Sequence, residues 1–305
     1  MKYKLKIGPA VIHIEADSVP HDAAEPESLY WRFLTDGQAA PTLDLRLLRD
    51  GLPPRRSEQP LGQVTNHWEL YRHGDGYRLE VIEQTALKPK QIAIFDSTWR
   101  TADVYQMPPA YDAPPELASG WVLIDLMEPL IQWWLTTWLA LHGSGVILHG
   151  SGVAFGDQAM AFIGESGAGK STLAGLCRDH GEARVLNDER IVVWRDDHRW
   201  RAAGTPWHGE LRAATAPAAA LTRFGILRKA DHEAFVPIPA SRLLAETLAQ
   251  TFVPLWNPSA MENVVNRLLQ LFDEVPSGEF HFRKGAGAAA FLAERAQGKL
   301  PAGVL

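Results

Sequence analysis

The strongest chemical signal in the sequence is a glycine-rich segment at residues 164–171, which reads GESGAGKS. Its spacing of Gly, four residues and Gly-Lys-Ser is typical of loops that bind nucleotide phosphates. Glycines let backbone N–H groups turn towards phosphate oxygens, and a helix beginning at Lys170 would direct its positive end at the same anion. An apolar strand is expected before the segment and a helix after it. The alternative is a glycine-rich turn that binds nothing.

The segment predicts a site for ATP and Mg²⁺. Lys170 would reach the β- and γ-phosphates, and the hydroxyl of Ser171 would bind the metal ion. The predicted nucleotide-binding residues are Gly164, Glu165, Ser166, Gly167, Ala168, Gly169, Lys170, Ser171 and Thr172.

A second polar group follows the next predicted strand, at residues 183–186, and begins with Asn187, Asp188 and Glu189. In an α/β unit the carboxyl ends of strands meet at one edge of the sheet, so these carboxylates should face the phosphates. A carboxylate in that position can hold Mg²⁺ or accept the proton of an attacking hydroxyl. The alternative is an ordinary turn at the end of a strand.

The elements that must position these residues change character along the chain. Residues 1–107 alternate polar and apolar side chains in short runs, which predicts an antiparallel β-rich domain with one helix near residues 28–34 and a loop at 51–60. Two proline pairs within residues 108–118 predict a linker. Residues 119–305 have a mixed pattern that predicts an α/β domain.

Within this second domain, strands are expected at residues 146–148, 153–155 and 160–163, followed by a helix from Lys170 to about residue 180. Residues 130–141 predict a buried helix. Ser259 and Glu262 have the spacing of a capping box, which predicts that a further helix begins there. Its apolar face would comprise Met261, Val264, Val265, Leu268, Leu269 and Phe272.

Composition excludes several classes of protein. The chain has 305 residues, of which 46% are hydrophobic, and this is too much apolar surface for a disordered protein. A net charge of −6 argues against a general nucleic-acid-binding protein. The single cysteine, Cys177, excludes a disulfide framework and is typical of the cytoplasm, and the first residues have no signal-peptide character. The longest uncharged apolar run, residues 130–141, is too short to span a membrane.

Three motifs in one order resemble the catalytic domain of HPr serine kinase/phosphorylase, itself related to the nucleotide domain of phosphoenolpyruvate carboxykinases. They are His149-Gly150-Ser151-Gly152, the segment 164–171, and Asp188-Glu189-Arg190. The resemblance covers about residues 119–296 and implies an α/β fold: an HPr kinase/PEP carboxykinase-like P-loop domain, here preceded by a smaller β-rich domain. It also implies that Asp188 is the general base, that Glu189 joins Ser171 on the metal side, and that His149 lies near the base and the transferred phosphate.

The sequence also departs from that family. Thr172 stands where the bifunctional enzymes carry Glu, and the Arg-Gly-Leu-Gly signature is replaced by GTPWHGE at residues 204–210. This block is similar to HPr-kinase-related kinases of biosynthetic clusters, including those that phosphorylate lasso-peptide precursors, so HPr is not the expected substrate. The block predicts an acceptor pocket or, equally, a turn that buries an indole. The pocket residues would be Trp207, His208, Glu210 and Arg212.

Together these patterns predict an ATP- and Mg²⁺-dependent kinase that transfers the γ-phosphate to a hydroxyl. The acceptor would be a serine of a peptide or protein, or a small serine-like metabolite. Two alternatives stay open: a nucleotide-binding regulator or scaffold without transfer, and a carboxykinase-like enzyme acting on a small carboxylated metabolite. No nucleic-acid or membrane partner is expected, and a homo-oligomer is left open.

Overall fold

The computed structural model describes residues 1–17, 29–37, 39–48, 51–65, 67–83, 87–106 and 126–297. Its contacts divide the chain into two compact units. Unit 1 comprises Met1–Lys6, Ala10–Trp138 and Pro254–Pro258, and unit 2 comprises Ile7–Pro9, Leu139–Val253 and Ser259–Leu305. Unit 1 therefore extends past residue 107, and the predicted linker at 108–118 lies outside the described residues.

Unit 1 contains an eight-stranded sheet in the order β1-β2-β3-β8-β7-β6-β5-β4. The strands are β1 (Lys2–Ile7), β2 (Ala10–Glu15), β3 (Leu43–Leu48), β4 (Gly62–Val64), β5 (Trp68–His73), β6 (Gly76–Glu83), β7 (Lys88–Phe95) and β8 (Thr101–Gln106). The strands agree with the β-rich character expected for residues 1–107. Residues 51–60 form a loop, as predicted.

Two expectations for this unit were wrong in detail. The sheet is not wholly antiparallel, because β3 pairs in parallel with both β2 and β8. Alternation reports which side chains face the core but carries no information on strand direction, and the stretch between β2 and β3 is long enough for a crossover. The helix expected at residues 28–34 is a short 3₁₀ helix, Leu29–Phe33, with Leu29, Tyr30 and Phe33 buried.

Unit 2 contains a second eight-stranded sheet in the order β10-β9-β12-β13-β14-β16-β15, with β11 paired to β9 and an additional pairing between β10 and β14. The strands are β9 (Val146–Phe155), β10 (Gln158–Ile163), β11 (Arg184–Asn187), β12 (Arg190–Arg195), β13 (Trp200–Gly204), β14 (Ala219–Lys229), β15 (Ala234–Val236) and β16 (Ser277–Phe282). Strands β10, β14 and β16 run parallel, so their carboxyl ends share one edge.

The two strands predicted at 146–148 and 153–155 are one continuous strand, β9. The interruption predicted between them coincides with Gly150 and Gly152. Gly150 instead lies opposite Ile163 in the antiparallel pairing with β10. A Cβ atom at Gly150 would lie 2.7 Å from the carbonyl oxygen of Phe162, so the glycine allows a close approach of the two strands.

Five α-helices follow in chain order within the described residues: α1 (Gln132–Leu141), α2 (Lys170–Gly181), α3 (Ala240–Leu248), α4 (Pro258–Glu274) and α5 (Ala286–Ala296). The buried helix predicted at 130–141 is confirmed from Gln132 onwards. The turn before it, Leu126–Ile131, is irregular and contains Pro129. None of the helices in these residues combines the length and the apolar character needed to cross a membrane.

The sheet of unit 2 has an apolar core on each face. Along β10, Ala161 and Ile163 join one core with α3 and α4, while Met160 and Phe162 join the other with α2 and α5. This alternation explains why a six-residue strand has almost no polar side chain. The lone Cys177 lies in the second core, where burial raises its thiol pKa to about 12 and makes it a small apolar residue.

Helix α4 corrects two further expectations. It begins at Pro258, a favourable residue for the first helical position, so Ser259 is already within the first turn and is not the N-cap of a capping box. Its buried residues are Ala260, Val264, Leu268 and Leu271, whereas Leu269 is 42% exposed and does not belong to the core face.

Candidate active site

The 164–171 loop joins the end of β10 to the start of α2, as predicted. Gly167 and Gly169 adopt positive φ angles of 77° and 106°, a backbone conformation that other residues rarely adopt. A Cβ atom at Gly164 would lie 2.8 Å from the Cβ of Ala168, and one at Gly169 would lie 2.9 Å from the ring of Phe282. Gly167, by contrast, would meet nothing within 4 Å. Neighbouring atoms therefore leave no room for a side chain at Gly164 and Gly169, whereas Gly167 faces open space.

Lys170 is buried, with only 7% of its surface exposed. Its ammonium group donates hydrogen bonds to the carbonyl oxygens of Gly164, at 2.8 Å, and of Glu165, at 3.3 Å. Burial lowers the pKa of Lys170, and the negative charge of Glu189 acts in the opposite direction. Within the described residues the ammonium forms no ion pair. A buried positive charge with only carbonyl partners is suited to an incoming anion.

Ser171 and Thr172 lie partly buried in the first turn of α2, and Glu165 and Ser166 are exposed on the loop. The described residues contain no group of three or more His, Cys, Asp or Glu side chains that could hold a metal ion. Magnesium at this loop would therefore need phosphate oxygens and water as ligands in addition to Ser171, and Mg²⁺ beside nucleotides is commonly bound in this way.

Asp188 lies between β11 and β12 and has no exposed surface. Its Oδ1 accepts a hydrogen bond from the backbone N–H of Gly209 at 3.0 Å, and its Oδ2 accepts one from the N–H of Leu211 at 2.9 Å. A Cβ atom at Gly209 would lie 2.7 Å from Oδ2, so this approach requires glycine. Both oxygens of the predicted base are thus directed at the backbone of the 209–211 turn.

Asn187 was not predicted to be important, yet it connects the two segments that meet here. Its Nδ2 donates to the carbonyl oxygens of Thr205, at 2.8 Å, and Trp207, at 3.1 Å. Its Oδ1 accepts from the backbone N–H groups of Glu189, at 2.7 Å, and Arg190, at 2.8 Å. The signal that could have identified it is an Asn directly after an apolar strand, where this side chain commonly bonds to the following backbone.

Glu189, in contrast to its neighbour Asp188, remains accessible. Its side chain is 34% exposed and its Oε1 lies 3.3 Å from Nε2 of His149, whose side chain is 36% exposed. The pairing of β9 with β12 holds them together, with His149 opposite Arg190 and the N–H of Gly150 bonded to the carbonyl oxygen of Glu189 at 2.9 Å.

The ionisable groups of Lys170, His149 and Glu189 influence one another's pKa values. Burial lowers the pKa of His149, as does the positive charge of Lys170, while Glu189 raises it. Gly150, whose N–H binds Glu189, lies opposite Ile163 at the end of β10, and Lys170 binds the carbonyl oxygen of the next residue, Gly164. The structure therefore brings three predicted site residues, Lys170, His149 and Glu189, to the carboxyl edge of β10. The arrangement can hold an anion beside a carboxylate and an imidazole.

The residues predicted to form an acceptor pocket are placed differently from one another. Trp207 is buried, with 1% of its surface exposed, so its indole faces the protein interior. His208 is half-buried and its Nδ1 lies 3.0 Å from the carbonyl oxygen of Gly209. Glu210 and Arg212 are exposed on the same turn, and Arg212 has a positive φ of 47°. Only the last three side chains could contact an acceptor.

Comparison with known proteins adds no relative: no protein-family model and no curated protein matches this chain. The geometry of the site is therefore the basis for the function proposed below.

Proposed function

We propose that this protein is an ATP- and Mg²⁺-dependent phosphotransferase that moves the γ-phosphoryl group to a hydroxyl. In this proposal unit 2 is a P-loop domain of the HPr kinase-like type, and the 164–171 loop binds the phosphates. The acceptor is a serine of a peptide or protein, or a small serine-like metabolite, and the reaction takes place in the cytoplasm.

The observation that carries the proposal is the position of Lys170. Its ammonium group is buried under a loop whose glycines hold the backbone close, and it has carbonyl oxygens as partners instead of a carboxylate. Keeping a charged amine in such a place costs free energy unless an anion completes the site. Phosphate oxygens at the start of α2 would meet both this charge and the N–H groups of the helix.

Magnesium fits the same region, because Ser171 lies in the first turn of α2 directly after Lys170 and the nucleotide's phosphate oxygens would supply further ligands. When bound, it would neutralise charge on the phosphates as the bond to the leaving oxygen breaks. The protein's own contribution is to position the phosphates and the acceptor hydroxyl and to receive the hydroxyl proton.

A nucleotide-binding regulator without transfer is the second candidate, and one observation favours it. Asp188, the base implied by the resemblance, has no exposed atom and both of its oxygens are already bonded. A protein that only binds nucleotide could use this carboxylate to hold the 209–211 turn. The two candidates differ in whether phosphate leaves the nucleotide.

The proposal is tested with Lys170→Met, which removes the charge and keeps most of the side-chain volume. We expect the Kd for a fluorescent ATP analogue with Mg²⁺ to rise about 10–100-fold, because hydrogen bonds to a charged group contribute about 1.5–3 kcal/mol. Transfer of labelled γ-phosphate to serine peptides and serine-like metabolites should be lost. Lys88→Met, at an exposed lysine of β7, is the control and should behave as wild type.

A Ser171→Ala variant tests the metal separately. It should shift the Mg²⁺ concentration needed for half-maximal transfer upwards and leave nucleotide binding without metal unchanged.

Unaltered binding and transfer by Lys170→Met would refute the assignment of the loop. Tight ATP binding by wild type, without release of phosphate to water or to any acceptor, would support the regulator instead.

A further inference from the structure

Two adjacent carboxylates, Asp188 and Glu189, have opposite environments. Asp188 has no exposed surface, and each of its oxygens accepts a backbone N–H of the 209–211 turn. Glu189 is about one-third exposed and has His149 as its close polar neighbour. Two consecutive residues therefore carry one carboxylate that is enclosed by backbone and one that faces the site.

A carboxylate that takes a proton from an acceptor must come within hydrogen-bond distance of the hydroxyl. At Asp188 no such approach is open, because the residue has no exposed surface and its two oxygens already accept the N–H groups of Gly209 and Leu211. An acceptor could reach this oxygen only if the 209–211 turn moved away and broke two hydrogen bonds. Glu189 needs no such movement.

The position of Glu189 also suits the reaction. The carbonyl oxygen of Glu189 accepts the N–H of Gly150, which lies opposite Ile163 at the end of β10. Lys170 donates to the carbonyl oxygen of Gly164, the next residue of the chain. The two charges therefore lie at the same end of β10, where each acts on the other. Lys170 marks where the terminal phosphates lie in the proposed complex, because it follows the loop that binds them. Glu189 would then lie on the side of these phosphates with a carboxylate that is 34% exposed and open to an acceptor hydroxyl.

We propose that Glu189 is the catalytic carboxylate that accepts the acceptor's proton, and that Asp188 is a positioning residue. This inference rests on the proposed function. The acceptor oxygen forms a bond to the γ-phosphorus, the bond from that phosphorus to the β–γ bridging oxygen breaks, and the nucleoside diphosphate leaves. The hydroxyl proton passes to an oxygen of Glu189, while His149, at 3.3 Å, holds the other oxygen in place.

Asp188 positions the site through the turn that it binds. Leu211, whose N–H it accepts, has its methyl carbons 3.8 Å from the place of a Cβ atom on Gly175, inside α2. Because α2 begins with Lys170, the carboxylate of Asp188 connects the acidic turn to the helix that carries the phosphate-binding lysine. Losing this connection should weaken nucleotide binding more than it slows the chemical step.

The first experiment measures access without requiring activity. The full-length protein is labelled with a carbodiimide and glycine ethyl ester, with and without ADP and Mg²⁺, and the modified carboxylates are located by tandem mass spectrometry. We expect Glu189 to be labelled and Asp188 to be protected in both conditions. Labelling of Asp188 with nucleotide bound would show that the turn opens, and would overturn the inference.

The second experiment follows single-turnover release of γ-phosphate from ATP and Mg²⁺, with water as the acceptor. Glu189→Gln should lower the rate by about 10²–10⁴-fold with unchanged nucleotide affinity and Mg²⁺ dependence. Glu189→Ala should recover part of the rate when formate is added, because a small carboxylate can enter an exposed site. Glu262→Gln, at an exposed glutamate of α4, is the control.

Asp188→Asn should mainly raise the KM for ATP, reduce kcat less than about tenfold, and speed hydrogen exchange at the amides of Gly209 and Leu211. Asp197→Asn, in an exposed turn, controls for loss of one charge.

Two results would contradict this assignment of roles. A shifted Mg²⁺ dependence in Glu189→Gln would make Glu189 a metal ligand, and an inactive Asp188→Asn with unchanged KM would make Asp188 the base. Either result overturns the inference. If wild type neither hydrolyses ATP nor transfers phosphate, the proposed function fails, while the labelling experiment still decides which carboxylate is accessible.

Discussion

At the scale of single residues, environment decides what a side chain can do. His149 shows this clearly: burial and the charge of Lys170 lower its pKa, so the imidazole stays neutral to lower pH than it would in water. A neutral imidazole can hold the Glu189 carboxylate through one N–H without adding a positive charge.

Asn187 provides a prediction at this scale. Asn187→Ala would leave two buried carbonyl oxygens and two backbone N–H groups without their partner, so we expect the free energy of unfolding to fall by about 2–4 kcal/mol. Urea denaturation measures this loss.

Asn187→Asp is the matched variant for the same position. It keeps an oxygen that can accept from the N–H groups of Glu189 and Arg190 but cannot donate to Thr205 and Trp207. Its stability should fall at least as far as that of Asn187→Ala, because a buried carboxylate oxygen would face the carbonyl oxygens of Thr205 and Trp207. An Asn187→Ala protein as stable as wild type would show that these bonds are replaced by water.

At the scale of elements, the site depends on strands that are distant in sequence. The parallel pairings of β14 with β10 and β16 place the 164–171 loop beside Leu227 and Phe282. Phe282 leaves no room for a side chain at Gly169, because a Cβ atom there would lie 2.9 Å from its ring. Helix α4 supports the other face of the same sheet through Val264 and Leu268. The loop is thus held by a sheet whose two faces are both covered.

Leu268 and Leu269 test this packing as a matched pair. Leu268 is fully buried and Leu269 is 42% exposed. Leu268→Ala should lower the free energy of unfolding by about 2–5 kcal/mol through loss of apolar burial and formation of a cavity. Leu269→Ala should change it by less than about 1 kcal/mol. Equal losses in urea denaturation would contradict the burial described for α4.

At the scale of the whole molecule, the proposed nucleotide site belongs to one of the two units. Every residue that we assign to phosphate binding or catalysis lies in unit 2, whereas unit 1 has its own sheet, β1–β8. Within the described residues, unit 1 contains no part of the proposed site. Ligand binding should therefore stabilise unit 2 selectively.

Hydrogen exchange tests this expectation. ATP and Mg²⁺ at a hundredfold excess over Kd should add about 2.7 kcal/mol to the stability of the structure that binds them. Amides of β9–β16 that exchange through unfolding of unit 2 should be protected by that amount, and amides of β3 and β5–β7 should keep their rates. Equal protection of both sheets would mean that the two units unfold together, and protection of neither would argue against nucleotide binding.

Much of the site could be predicted because its signals are local. The spacing of glycines with Lys170 and Ser171 lies within eight consecutive residues, and the chain turns there because glycine permits the required φ angles. The strands of unit 1 were visible because side chains alternate between the two faces of a strand. The sequence also predicted that the turn with Asp188 and Glu189 lies near the 164–171 loop, because both follow strands whose carboxyl ends meet at one edge of the sheet.

Only the tertiary structure determined strand pairing and the burial of individual side chains, because both depend on residues that are distant in sequence. The direction of β3 is set by its pairing with β8, 57 positions away, and the continuity of β9 at Gly150 by Ile163, 13 positions away. The enclosed position of Asp188 is set by Gly209 and Leu211, 21 and 23 positions away. Asp188 and Glu189 are chemically alike and adjacent, so no property of their own separates them. The separation comes from the backbone of Gly209 and Leu211, which satisfies the first carboxylate and leaves the second facing Lys170 and His149. A sequence pattern specifies side chains, whereas burial and hydrogen-bond partners arise only when distant segments pack together.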